Sequence, residues 1–152
     1  MTIKLDINGG VSRDEIMRVA NKFDVKFDES YMVFLEKTNG GWNSSSEENV
    51  NQFELIVNNN TSFLTNLETM FGIGTEEESI EKWTEKFIEE EHVVAIGTTL
   101  LNALIIFIDL PELRGYYYYD DECNLEESDD DNNTYWLCET FDEFQSMVKN
   151  PE

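Results

Sequence analysis

The chain has 152 residues, 40% of them apolar and 12% aromatic. That length and composition suit one folded domain with its own core and exclude a disordered chain. Its 33 acids against 10 bases give a net charge of −23, which repels phosphate backbones and anionic membranes and attracts basic proteins, besides keeping a protein soluble.

The opening residues, Met1-Thr-Ile-Lys-Leu-Asp, hold no apolar signal-peptide core. The most apolar run, Leu100 to Leu110, is too short to span a bilayer. A cytoplasmic protein is therefore expected, with no membrane and no nucleic acid among its partners. The only prolines are Pro111 and Pro151, so no Pro-rich linker divides the chain and residues 1–152 read as a single domain. Cys123 and Cys138 form neither a C-x-x-C pair nor a disulfide framework. Both are expected as free thiols, Cys138 buried.

Ser12 with Glu15, Thr75 with Glu78 and Thr140 with Glu143 have the spacing of a capping box, in which a hydroxyl and a carboxylate satisfy the first free N–H groups of a helix. Behind each lies an apolar stripe of helical period: Ile16, Val19, Ala20, Phe23; Ile80, Trp83, Phe87, Ile88; and Phe141, Phe144, Met147, Val148. Between the first two lies a further helix, from about Glu29 to Thr38. Asp28 is its expected N-cap, Tyr31, Phe34 and Leu35 its buried face, and Asn39-Gly40-Gly41 its stop.

Runs rich in β-branched and aromatic residues predict strands at Phe53–Val57, Val93–Ile96, Ala103–Ile108, Gly115–Tyr119 and Tyr135–Cys138, with a short extra one at Phe71–Ile73. The short link containing Pro111, Arg114 and Gly115 predicts an antiparallel hairpin. Alternation along Tyr116–Tyr119 sends two tyrosines inward and two outward. The order predicts an α+β fold: a mostly antiparallel, curved sheet of about five or six strands, with N-terminal helices, one middle helix and a C-terminal helix.

Acid concentrates twice. Glu76 to Glu91 has eight glutamates and two lysines, and Glu78–Lys82 and Lys86–Glu90 have the i, i+4 spacing of helix-stabilising pairs. Asp120 to Asp131 has eight acids, no base and no apolar period, as a loop between two strands would. Nothing inside that loop neutralises it.

Motifs of catalysis are scarce. His92 is the only histidine and no G-x-S-x-G surrounds a serine. Gly72-Ile-Gly74 lacks a third glycine, and Glu76-Glu77-Glu78 after it would repel a phosphate. Asp129, Asp131 and Asn133 match the first three ligand positions of a calcium loop, but Thr134 and Thr140 stand where its glycine and final glutamate belong. Clustered Cys and His for zinc are missing. The chain is expected to be no enzyme and to hold no cofactor.

Several segments together resemble the SUKH superfamily, which includes the fungal Smi/Knr cell-wall regulators and many bacterial immunity proteins. They are Ile16 to Phe23; Tyr31-Met-Val-Phe34-Leu35 ending in Asn39-Gly40-Gly41; Phe53-Glu-Leu55; Leu67-Glu-Thr-Met-Phe71-Gly72-Ile73; Val93 to Gly97; Leu104 to Asp109; Gly115 to Asp120; and Thr140-Phe141-Asp-Glu-Phe144. No one of them is specific, but their order and spacing cover nearly the whole chain. It departs from the pattern in having Phe27-Asp28 where Leu-Pro is usual, and no glycine between Thr98 and Asn102.

The resemblance implies an α+β domain without catalytic activity. It implies an immunity protein that binds and neutralises a cognate toxin domain, a basic nuclease being the toxin that an acidic protein best fits. The alternative it implies is a Smi/Knr-like regulatory scaffold binding several cellular proteins. The expected partner-binding acids are Asp120, Asp121, Glu122, Glu126, Asp129, Asp130 and Asp131.

Overall fold

The computed structural model describes residues 3–58 and 61–151. Its helices are α1 (Arg13–Lys22), α2 (Glu29–Thr38), α3 (Ile80–Phe87) and α4 (Phe141–Met147). Its strands are β1 (Asp6–Ile7), β2 (Gly41–Trp42), β3 (Gln52–Asn58), β4 (Thr61–Met70), β5 (Val93–Thr99), β6 (Leu104–Ile108), β7 (Gly115–Tyr119) and β8 (Thr134–Cys138). The α+β class and all four helices stand as the sequence suggests. Among the described residues the sheet has eight strands, not five or six, in the order β1-β2-β4-β5-β6-β7-β8, with β3 paired to β4. Every pairing is antiparallel.

The added strands are β1, β2 and β4. Two of them are two residues long and exist only because distant segments meet: Asp6 pairs with Trp42, and Trp42 with Thr69. Phe71–Ile73 is no strand; Gly72 makes a single parallel bridge to Ser79. Register shifts in β3–β4, β4–β5, β5–β6 and β7–β8 bend the sheet. Gln52, at the start of β3, and Lys149, just after α4, exchange backbone hydrogen bonds of 3.0 and 2.7 Å.

Helix starts follow local chemistry. Ser12 and Thr140 accept from the N–H of Glu15 and Glu143, each at 3.3 Å. Thr75 does not cap: its hydroxyl donates to the Glu78 carbonyl at 3.0 Å, and Ser79, directly before the apolar Ile80, caps α3 by accepting from Lys82 N at 3.1 Å. Asp28 is the N-cap residue of α2 by position, yet its side chain caps no backbone N–H of that helix and instead accepts from the Ser30 hydroxyl at 2.5 Å. Its carboxylate accepts from the Tyr116 hydroxyl at 2.5 Å and from the first N–H of α4, at Phe141, at 3.1 Å. One carboxylate thus ties α2, β7 and α4 together. Burial, and then the nearby Asp28 charge, keep the Tyr116 phenol well above its ordinary pKa.

Around that tie lies an aromatic cluster. Phe27, Tyr31, Phe34, Phe107, Tyr116, Phe141 and Phe144 are all buried, and ring centroids lie 4.8 Å apart between Phe34 and Phe141 and 5.0 Å apart between Phe107 and Tyr116. The tyrosine run alternates as expected, Tyr116 and Tyr118 buried, Tyr117 and Tyr119 half-buried.

Asn39-Gly40-Gly41 does more than stop α2. Asn39 takes a left-handed conformation (φ 50°), and its side-chain amide pairs with the backbone of Ile73, accepting at 2.7 Å and donating at 3.0 Å. At Gly40 (φ +73°) a Cβ would strike the carbonyl oxygens of Met70 and Phe71, so only glycine lets β4 approach the helix end. Where Thr98–Asn102 lacks a glycine, Asn102 itself takes the left-handed turn position at φ 62°, as asparagine tolerates.

Candidate functional site

The acidic loop occupies residues 120–133, between β7 and β8. Its neck is closed by a hydrogen bond of 2.7 Å from Asp120 N to the Asn133 carbonyl. Asp120 is fully buried. Its carboxylate accepts from Asn124 N and Leu125 N, each at 2.9 Å, and from the Ser128 hydroxyl at 2.6 Å. Leu125, 6% exposed, plugs into the core beneath. Ser128 continues the network to the Tyr135 hydroxyl at 2.8 Å. Farther out, Asp129 accepts on one oxygen from Asp131 N at 2.9 Å and Asn132 N at 2.8 Å. Asn124 fastens the loop sideways by donating to the Leu101 carbonyl at 2.8 Å.

The seven expected acids therefore divide by role. Asp120 faces inward and organises the loop, which removes it from the surface a partner could touch. Asp129 is exposed but spends one oxygen on its own turn. Asp121 is exposed and accepts from the Tyr119 hydroxyl at 2.8 Å; burial, and then that bond, push the Tyr119 phenol up to about 12. Glu122, Glu126, Asp130 and Asp131 are exposed. Among the described residues no loop acid makes an ion pair. The field they set up is felt at Cys123, whose thiol is held above its ordinary pKa by desolvation and then by Asp120, Asp130, Asp129 and Asp121. Asn124, Leu125 and Ser128, which fix the loop's shape, had no distinguishing signal inside a run of polar residues.

The second acidic segment is built differently. Glu81 on α3 receives Arg18 at 2.9 Å and Lys22 at 3.1 Å from α1, and Lys22 also reaches Glu85 at 2.6 Å. The expected pairs Glu78–Lys82 and Lys86–Glu90 do not form, because α3 spans only Ile80–Phe87 and leaves Glu78 and Glu90 outside it. Arg13 joins α1 to α2 through Glu29 at 2.9 Å and Glu36 at 2.5 Å.

Neither cysteine is poised for catalysis. Both are free, and burial lifts the Cys138 thiol to about 12, away from the thiolate that chemistry needs. His92 sits at the turn into β5 with Nδ1 2.7 Å from the Asp24 carbonyl oxygen. Among the described residues no three His, Cys, Asp or Glu side chains are grouped to hold a metal ion. Beside Gly72-Ile-Gly74, the Ile80 N–H that opens α3 is already bonded to the Gly72 carbonyl at 2.9 Å. A cleft of about 390 Å³ nearby is lined by Trp42 and Glu76, Glu77 and Glu78. Burial and the neighbouring Glu77 raise the Glu78 pKa, a setting hostile to phosphate. Among the described residues no helix is long and apolar enough to cross a membrane.

A model of the SMI1 / KNR4 family (SUKH-1) matches residues 10–147, and the chain belongs to that family. Comparison with curated proteins gave no match, and neither did comparison with solved structures.

Proposed function

We propose that the chain works as a single SUKH-like domain, residues 1–152, that is no enzyme and acts as an immunity protein. It neutralises a bacterial toxin domain by direct binding in the cytoplasm, and the toxin is basic, as a nuclease is. The observation that carries this reading is the loop at 120–131: eight acids, no base among them, and a shape fixed from inside by Asp120. A mobile acidic tail would lose conformational entropy on binding, whereas a pre-shaped loop loses little. A basic groove evolved to attract polyanions would meet Asp121, Glu122, Glu126, Asp130 and Asp131 as a substitute for phosphates. The family match supports an immunity-like or a Smi/Knr-like role, and the loop favours the former.

The test is co-expression with the toxin domain encoded beside the chain. Growth rescue is expected, together with a complex whose affinity falls as salt is raised, because exposed charges are screened. Toxicity unchanged by co-expression, with no complex formed, would refute the reading. A pull-down returning several unrelated cellular proteins and no toxin would select the regulatory scaffold instead.

A further inference from the structure

Two strands and the turn that follows β5 carry exposed aliphatic side chains on one outward face of the sheet. Along β3 and β4 the buried positions are Phe53, Leu55, Thr65 and Leu67, so Glu54, Ile56, Leu64 and Asn66 point the other way. Ile56 pairs with Ser62, and Leu64 with Glu54; Ile56 and Leu64 are therefore diagonal neighbours, within reach of one another. The series continues past β4. Leu67 pairs with Thr99, and Leu100 N donates to the Asn66 carbonyl at 3.0 Å. Thr99 is buried, so Leu100 emerges on the outward face beside Asn66, diagonal to Leu64. Ile56 is 62% exposed, Leu64 59%, Leu100 59% and its neighbour Leu101 39%. The fold does not require these side chains, since residues on the opposite face already fill the core.

This stripe runs into the acidic loop, because Asn124 bonds to the carbonyl of Leu101. The rest of its border is acidic too. Glu54 lies across from Leu64, and Glu48 is exposed next to Asn66, whose amide reaches the Glu48 carbonyl at 2.6 Å. No lysine or arginine occurs between Lys37 and Lys82, between Lys86 and Arg114, or between Arg114 and Lys149. Those intervals contain β3, β4, the β5–β6 turn and the whole loop. The surface is thus an apolar stripe with a rim of one charge sign. A second copy of the chain would bring carboxylates against carboxylates, and an anionic membrane would be repelled likewise. What complements it is an apolar patch ringed by lysine and arginine.

We infer that Ile56, Leu64, Leu100 and Leu101 form the apolar centre of a docking surface for a basic protein, with the 120–131 loop as its charged rim. The inference rests on the immunity reading for the partner's identity and adds where the complex is held. The rim sets how fast the partner arrives, and the stripe sets how long it stays.

The experiment uses the catalytically disabled toxin domain encoded beside the chain as the probe. Association and dissociation rates are measured with the unsubstituted protein, with Leu64→Ser/Leu100→Ser, and with Glu122→Gln/Glu126→Gln. The leucine variant is expected to dissociate about thirtyfold faster or more with little change in association, the scale of losing central anchors. Leucine variants that bind like the unsubstituted protein overturn this inference and leave the immunity reading standing. An unsubstituted protein that does not bind the probe overturns the immunity reading, and the stripe's role with it. Sedimentation of a dimer that the leucine changes dissolve makes a second copy the occupant and also overturns the inference. Hydrogen exchange on the unsubstituted complex guards against a folding defect: slower exchange in β4 and at residues 99–102 is expected, and unchanged exchange there contradicts it.

Discussion

The two acid-rich regions of this molecule differ in what their charge does. On the helical side Arg13, Arg18 and Lys22 each hold two glutamates, and the ion pairs join α1 to α2 and α3. On the sheet side the loop at 120–131 has no base in it and no ion pair among the described residues. One acid there, Asp120, has turned inward to shape the loop, and the others have been left to solvent. Charge used up inside the fold is structure; charge that the fold leaves unpaired is available to a partner. A count of acids along the chain does not separate the two, since each segment has eight; Glu81 and Glu85 of the helical segment are drawn into ion pairs, and among the described residues no acid of the loop is.

The largest expected effect separates Asp120 from its neighbours. Asp120→Ala leaves two backbone N–H groups and the Ser128 hydroxyl without their acceptor, and should lower stability by about 2–4 kcal/mol in urea unfolding. Glu126→Ala in the same loop should stay within about 0.5 kcal/mol. Equal effects from the two would abolish the distinction between an organising acid and an exposed one.

A smaller effect is expected on the helical side. Arg18 first, and then Lys22, hold the Glu81 carboxyl below its ordinary value of 4.5. A depressed pKa contributes stability that is present above the unfolded value and lost as pH falls through the folded one. Glu81→Gln should therefore cost about 0.5–1 kcal/mol at neutral pH. The gap from the unsubstituted protein should close as pH drops below 4.5. A gap that persists in acid would mean that packing, not charge, is what Glu81 supplies.

The smallest effect has the opposite sign. The Asp24 carbonyl, and after it the acids around it, raise the pKa of His92 above 6.5. A raised pKa contributes stability that is present below the unfolded value and lost as pH rises through the folded one. His92→Asn, which tolerates the left-handed backbone there (φ 64°), should lower the melting temperature slightly below pH 6.5. The difference should vanish in alkali; a difference constant across pH would rule out the charge as its source.

Much of the fold was legible because local signals agreed. Ser12 and Thr140 stand before apolar stripes and cap them, and the tyrosine run alternates as a half-covered strand must. The strand β4 was not legible, because two of its inward positions are Thr65 and Thr69, so its alternation is hidden from any reading by hydrophobicity. Thr75 misled because its spacing to Glu78 is right, while Ser79, closer to the apolar run, takes the cap. The loop could be found from its acids, but which acid faces inward depends on where Leu125 and Ser128 sit in three dimensions. The leucines at 64 and 100 come together only through the β4–β5 register, and nothing local marks them.

The comparison between the two regions rests most directly on association rates. With the disabled toxin domain as partner, a chain carrying Glu122→Gln, Glu126→Gln and Asp130→Asn should associate about tenfold more slowly at low salt, and the difference should shrink as salt rises. A chain carrying Glu29→Gln and Glu85→Gln should associate almost as the unsubstituted protein does. Equal slowing by both sets, or none from the loop set, would contradict the assignment of the sheet side as the partner's landing place.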